Sequence, residues 1–142
     1  ILDEKNGPPP EVNLFNEKNN GESILNLIDK GYVKSAHDIS LGGLLVAISK
    51  MCIKGNKGIK INKSKNLINE IEYFFAEDQG RYLIEVNKED LKEVTKILNK
   101  NSVHHEELGI ITQNDMIINE KTKVTIDELK SYYTNWLSKY MS

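Results

Sequence analysis

The sequence predicts an α+β fold, a layered mixed sheet with helices packed on it, and three observations carry that reading. Helical and strand-like periodicities are interleaved along the 142 residues without a strict βαβ repeat. Leu44-Leu-Val-Ala-Ile-Ser-Lys-Met-Cys-Ile53 is a helix apolar almost all round, broken only by Ser49 and Lys50, so it belongs inside the fold. Arg81-Tyr-Leu-Ile-Glu-Val86 is the clearest strand in the chain. A 39% apolar and 28% charged composition at this length suits one globular domain with a workable core.

Taken in order, the chain opens at Ile1 and soon reaches Gly7-Pro-Pro-Pro10, which cannot be helical. Residues 1–12 therefore read as an extended lead-in from an upstream domain, with 13–142 as the domain proper. Phe15–Lys30 carries Ile24, Leu25, Leu27 and Ile28 on one helical face closed by Gly31, with Asn20-Gly21 delaying the start. Tyr32–Ala36 is a strand and His37–Gly43 a tight polar turn into the buried helix. Gly58–Ile61 alternates as a short strand, and Leu67–Phe75 is a short helix carrying Leu67, Ile68, Ile71, Phe74 and Phe75. The turn Glu77-Asp-Gln-Gly80 leads into the Arg81–Val86 strand. Lys88–Asn99 is an amphipathic helix with Asn87 as its cap. His104–Ile111 and Met116–Ile118 are strands, and Lys123–Ile126 adds an edge strand. Asp127–Tyr140 closes the chain as a helix burying Leu129, Tyr133, Trp136, Leu137 and Tyr140.

Charge and composition exclude several classes. A net charge of -2 leaves no basic footprint for nucleic acid or for an anionic membrane surface. No apolar run approaches the roughly 20 residues that span a bilayer. The single cysteine, Cys52, cannot form an intrachain disulfide, which fits a reducing, cytoplasmic setting. Asn56-Lys57-Gly58 lacks the frame of a phosphate-binding P-loop.

Two stretches carry candidate chemistry. In Ser35-Ala-His-Asp-Ile-Ser-Leu-Gly-Gly-Leu44, Gly42 and Gly43 leave the backbone uncovered at a helix start. Free first-turn N–H groups and the positive end of the helix dipole favour an anion there, most often phosphate. His37 and Asp38 face a ligand in this reading; alternatively, Asp38 or Ser40 caps the helix and His37 fills a polar slot. A carboxylate at that position would also repel an incoming phosphate, so Asp38 must turn aside, bind a metal or hydroxyl, or itself be the anion that occupies the site. The second stretch, Glu77-Asp78-Gln79-Gly80-Arg81, holds two carboxylates, an amide and the only arginine in the sequence. A guanidinium offers a planar fork for carboxylate or phosphate, which lysine cannot copy. The competing reading is a solvated turn with an internal salt bridge. Glu77 and Asp78 are adjacent and point apart on entering a strand, so a shared metal is not expected. His104-His105-Glu106-Glu107 lacks the i, i+4 histidine spacing of a helical zinc site. Cys52 reads as a packed thiol.

At these same residues the chain resembles the phosphoribosylformylglycinamidine synthase family, whose signature Ser-Ala-His-Asp-(Val/Ile)-Ser-Asp-Gly-Gly-Leu matches Ser35–Leu44. Pro8-Pro-Pro10, Glu17-Lys-Asn-Asn-Gly21, Glu77-Asp-Gln-Gly-Arg-Tyr82 and Trp136-Leu-Ser-Lys-Tyr-Met141 agree in the same order. Leu41 and Asn19 depart from the pattern, standing where the family has an acidic and a basic residue.

The resemblance implies an AIR-synthetase C-terminal-domain-like fold, the last domain of a longer purine-biosynthetic ligase. That enzyme would convert formylglycinamide ribonucleotide, ATP and glutamine-derived ammonia to the amidine, ADP and phosphate. ATP and Mg²⁺ would be held mainly by upstream domains of the same chain, with no catalytic residue and no metal ligand in this stretch. His37, Asp38, Ser40, Gly42, Gly43, Glu77, Asp78, Gln79 and Arg81 would border a phosphate or substrate cleft. Ammonia would come from a separate glutaminase subunit joined through a small accessory subunit. Two rivals stand beside this reading. One is another ATP-dependent enzyme of the same two-domain plan, of the hydrogenase-maturation, thiamine-phosphate kinase or selenophosphate type. The other is a nucleotide- or phosphate-binding module without catalysis.

Overall fold

Asn13 starts the first helix by accepting the N–H of Asn16 on its side chain at 3.0 Å, which satisfies one orphan donor of the first turn. The structure is a computed structural model that describes residues 11–61 and 69–142. The elements run α1 (Leu14–Asp29), β1 (Val33–Asp38), α2 (Gly43–Gly55), β2 (Gly58–Ile61), α3 (Glu70–Phe75) and β3 (Tyr82–Val86). Then follow α4 (Leu91–Lys100), β4 (Gly109–Thr112), β5 (Asp115–Ile118), β6 (Thr122–Thr125) and α5 (Ile126–Met141). The α+β expectation holds, with the strands divided over two sheets. The chain forms two compact units, one from 1–43 and 76–105, the other from 44–75 and 106–142. The Pro8–Pro10 run and the Leu67–Ile68 start of the third helix lie outside the described residues.

The first unit holds α1, β1, β3 and α4. Strands β1 and β3 pair antiparallel, with Ala36 opposite Ile84 and Asp38 opposite Tyr82. Two strands alone are marginal in water and need a helix against one face. Leu27 of α1 and Val94 and Leu98 of α4 supply it, packing with Val33, Ile84 and Val86. Leu27 is fully buried and Ile24 half-buried, whereas Leu25 and Ile28 are 62% and 44% exposed. Helix α1 passes through Asn20-Gly21 without a delayed start. An internal glycine costs about 1 kcal/mol, and a Cβ on Gly21 would make only an ordinary 3.6 Å contact with the Tyr82 hydroxyl. Helix α4 begins later than its pattern suggests. Asn87 donates its amide to Asp90 at 2.9 Å instead of capping, and 88–90 form a turn with Asp90 at the cap position.

The second unit holds a mixed four-stranded sheet in the order β4-β2-β5-β6. Strands β2 and β5 are parallel with Ile59 beside Met116, and the other pairs are antiparallel. Ile59, Ile61 and Met116 are buried, as are Leu44, Ala47, Ile48 and Cys52 of α2. Residues 104–108 are not a strand; the ladder to β2 starts only at Gly109. Strand β6 sits at the edge as expected, and its last residue Thr125 opens α5 with a capping box. Thr125 Oγ1 accepts the Glu128 N–H at 3.2 Å while the Glu128 carboxylate accepts the Thr125 N–H at 2.9 Å. The expected buried face of α5 is absent: Tyr133, Trp136 and Tyr140 are 58%, 61% and 82% exposed, and Ile126 is its buried residue. Periodicity identified the apolar side of this helix, but among the described residues Leu129 is half-buried and the rest of that face is exposed.

Candidate functional site

Antiparallel pairing decides where the two candidate stretches meet. Because β1 ends opposite the start of β3, the chain leaving β1 runs beside the chain entering β3. The ladder continues one step further through Ile39, whose N–H donates to the Arg81 carbonyl at 2.9 Å. The glycine turn and the Glu77–Arg81 corner are therefore neighbours within the first unit. His37 and Asp38 fall in β1 rather than in the turn. Alternation then sends them to opposite faces, His37 with half-buried Val33 and Ser35, Asp38 outward. The His37 Nδ1 lies within hydrogen-bonding reach of the Asp38 carbonyl and 3.3 Å from its carboxylate.

The backbone donors of the glycine turn are already engaged, contrary to the expectation of bare N–H groups. Gly42, with φ +86°, donates to Glu77 Oε1 at 2.8 Å, and Gly43 donates to the Ser40 carbonyl at 2.9 Å. A carboxylate from the neighbouring turn takes the place that an anion was expected to fill, for the same electrostatic reason. Glu77 and Asp78 take different partners. Asp78 instead meets Arg81, whose Nη1 lies 3.3 Å from Asp78 Oδ2 and 3.4 Å from the Ala76 carbonyl. The internal salt bridge is thus present.

Helix α1 supplies a third wall. Asn20 donates its amide to the Gly80 carbonyl at 3.0 Å, and Gly80 packs on Glu17 with φ +68°. A Cβ there would lie 3.2 Å from the Glu17 Cα, so only glycine suits both the conformation and the approach. Together these segments enclose a surface hollow of about 360 Å³, within the range of small-molecule sites. Of the expected residues, Asp38, Ser40, Glu77, Asp78, Gln79 and Arg81 line it. His37, Gly42 and Gly43 do not, although Gly42 holds Glu77 in place. Glu17, Leu41 and Tyr82 also line it and were not singled out as site residues. The signal for Glu17 is the Glu17–Gly21 stretch, which agrees with the family pattern.

Four carboxylates, Glu17, Asp38, Glu77 and Asp78, face one guanidinium in this hollow. Carboxylates only accept hydrogen bonds, so the wall suits hydroxyl, amine or amide donors of a ligand. Among the described residues no group of three or more His, Cys, Asp or Glu side chains is arranged to hold a metal. His105 turns its Nδ1 to the Val103 carbonyl and Glu106 accepts from the Tyr73 hydroxyl. Burial pushes the Cys52 thiol up to about 11, as a packed thiol requires.

A family model of the AIR synthase related protein, C-terminal domain, matches residues 1–119. The chain belongs to this family. The AIR synthase related chain is 63% identical over 99% of its length to the phosphoribosylformylglycinamidine synthase subunit PurL of Pelagibacter ubique, and 36% identical over 99% to that of Bartonella henselae. It spans 19% of each, about a fifth of their length. Among solved structures it is similar to T. maritima PurL complexed with FGAR, at a TM-score of 0.72 and 21% identity, covering 83% of this chain and 21% of that one. T. maritima PurL complexed with ATP matches at a TM-score of 0.68 and 20% identity, covering 79% and 21%. At that identity the structural likeness establishes the fold of this AIR synthase related domain. No helix among the described residues is long and apolar enough to cross a membrane.

Proposed function

We propose that this AIR synthase related domain is the last domain of a phosphoribosylformylglycinamidine synthase subunit. The whole enzyme is an ATP-dependent carbon–nitrogen ligase that turns formylglycinamide ribonucleotide and ammonia into the amidine. The observation that carries the reading is 63% identity to a PurL subunit across 99% of the chain, α5 included, although the family model ends at residue 119. Structures of T. maritima PurL complexed with FGAR, ATP and ADP support a ribonucleotide substrate and a nucleotide cofactor for the whole protein. A structure of PurLQS from T. maritima supports partner subunits, which we assign as a separate glutaminase and a small accessory subunit. The enzyme works in the cytoplasm.

Within it, residues 13–142 contribute a wall of the substrate-facing cleft. Asp38, Ser40, Glu77, Asp78, Gln79 and Arg81 border that cleft directly, while His37, Gly42 and Gly43 shape its rim. No residue of this domain performs the chemistry, and the domain alone turns nothing over. Mg²⁺ and most nucleotide contacts belong to the rest of the polypeptide. The test is to purify the whole polypeptide and supply formylglycinamide ribonucleotide, ATP, Mg²⁺ and ammonium. ADP release that depends on the ribonucleotide is the expected result. ADP release indifferent to it, or dependent instead on thiamine phosphate or selenide, would move the domain to another enzyme of the two-domain plan. Intact mass of the purified complex checks the partners, and a glutaminase fused to the same chain would overturn that part.

A further inference from the structure

We propose that Glu77 is a specificity-determining residue that keeps phosphate off the glycine turn, so that this hollow meets the hydroxyl or amine part of a ligand instead. The inference deepens the cleft reading and rests on it. A phosphate site at a helix start needs unspent backbone donors. Here the Gly42 N–H is held by Glu77 Oε1 at 2.8 Å and the Gly43 N–H by the Ser40 carbonyl at 2.9 Å.

The guanidinium that might compensate is spent as well, on Asp78 and the Ala76 carbonyl. An approaching phosphate would have to displace one carboxylate while facing Asp38, Asp78 and Glu17 around the same hollow. Like charges at such range disfavour one another even near water. A hydroxyl or ammonium group meets the opposite situation, because every one of those carboxylates can accept from it. Glu77 therefore acts twice: its hydrogen bond shapes the turn, and its charge rejects an anion.

Glu77→Gln separates the two roles, keeping an acceptor for Gly42 while removing the charge. The measurement is amide hydrogen exchange, read by mass spectrometry over residues 39–46 of the whole polypeptide, titrated with inorganic phosphate. Exchange in the wild-type turn should be indifferent to millimolar phosphate. In Glu77→Gln, whose neutral amide holds the Gly42 N–H more weakly than the carboxylate does, phosphate should displace that contact and slow exchange, with half-saturation at least tenfold below any wild-type response. Glu77→Ala should exchange faster without phosphate, having lost the Gly42 bond, and should also gain phosphate protection. Melting temperatures of both variants establish that the fold is intact, and Glu77→Gln alone suffices if the alanine variant unfolds. Phosphate protection of the wild-type turn, or none in Glu77→Gln, would overturn the proposal. The exchange readout needs no turnover, so it stands or falls separately from the enzyme assay above.

Discussion

Gly80 shows how one residue carries both shape and function in this domain. Its φ of +68° and its contact with the Glu17 backbone leave no place for a Cβ. A non-glycine residue held in that region costs about 1–3 kcal/mol, and the close approach adds to it. Gly80→Ala should therefore lower the melting temperature by several degrees and loosen the Asn20–Gly80 bond that ties α1 to the corner. An unchanged melting temperature would show that the turn can relax. Cys52 makes a contrasting case: buried, with its thiol raised to about 11, it stays protonated at neutral pH. Alkylation by iodoacetamide at pH 8 should be slow in the native protein and rapid in denaturant. Fast native labelling would contradict the packing of α2.

At the scale of elements, α5 is held by its Thr125 cap and by Lys130, whose Nζ donates to Asn56 Oδ1 at 2.6 Å. Thr125→Ala removes the cap and should cost about 1 kcal/mol, seen as faster exchange across α5 with β2 and β5 unaffected. The Thr125 backbone and side-chain hydrogen bonds also hold the Glu128 carboxyl below the ordinary glutamate range. A lowered folded-state value means that the stabilisation is full above the unfolded value and is lost as pH falls through the folded one. The helical signal of α5 should thus weaken in acid below about pH 4.5, and less so in Thr125→Ala, where the bonds are already gone. Equal acid sensitivity of the two proteins would assign the loss elsewhere. The same reasoning applies to Glu120, which Lys60 lowers through a 2.7 Å contact.

For the whole molecule, the division into two units sets what one core substitution can do. Leu27 is fully buried at the centre of the first unit, against Val94 and Leu98. Leu27→Ala should cost about 2–5 kcal/mol and raise exchange in β1, β3 and α4. Since β1 and β3 set the glycine turn against the Glu77–Arg81 corner, the same variant should loosen the Gly42 amide without touching it. Retained protection there would mean that the turn is held independently of the strands. Both units are discontinuous in sequence, so neither follows from reading a contiguous stretch.

The strands at Gly58 and Tyr82, the all-apolar α2 and the polar character of both turns were legible because each depends on local pattern alone. Three features were not. The position of His37 and Asp38 in a strand depends on pairing with β3, which extends β1 past the point where its own pattern ends. The true start of α4 depends on Asn87 finding Asp90. The occupation of the Gly42 amide depends on a carboxylate 35 residues away. Sequence by itself determined which residues could carry charge, turn the chain or enter a core. Tertiary structure decided which of those groups satisfy one another, because antiparallel pairing brings distant donors and acceptors within 3 Å and a free backbone donor next to a carboxylate does not stay free.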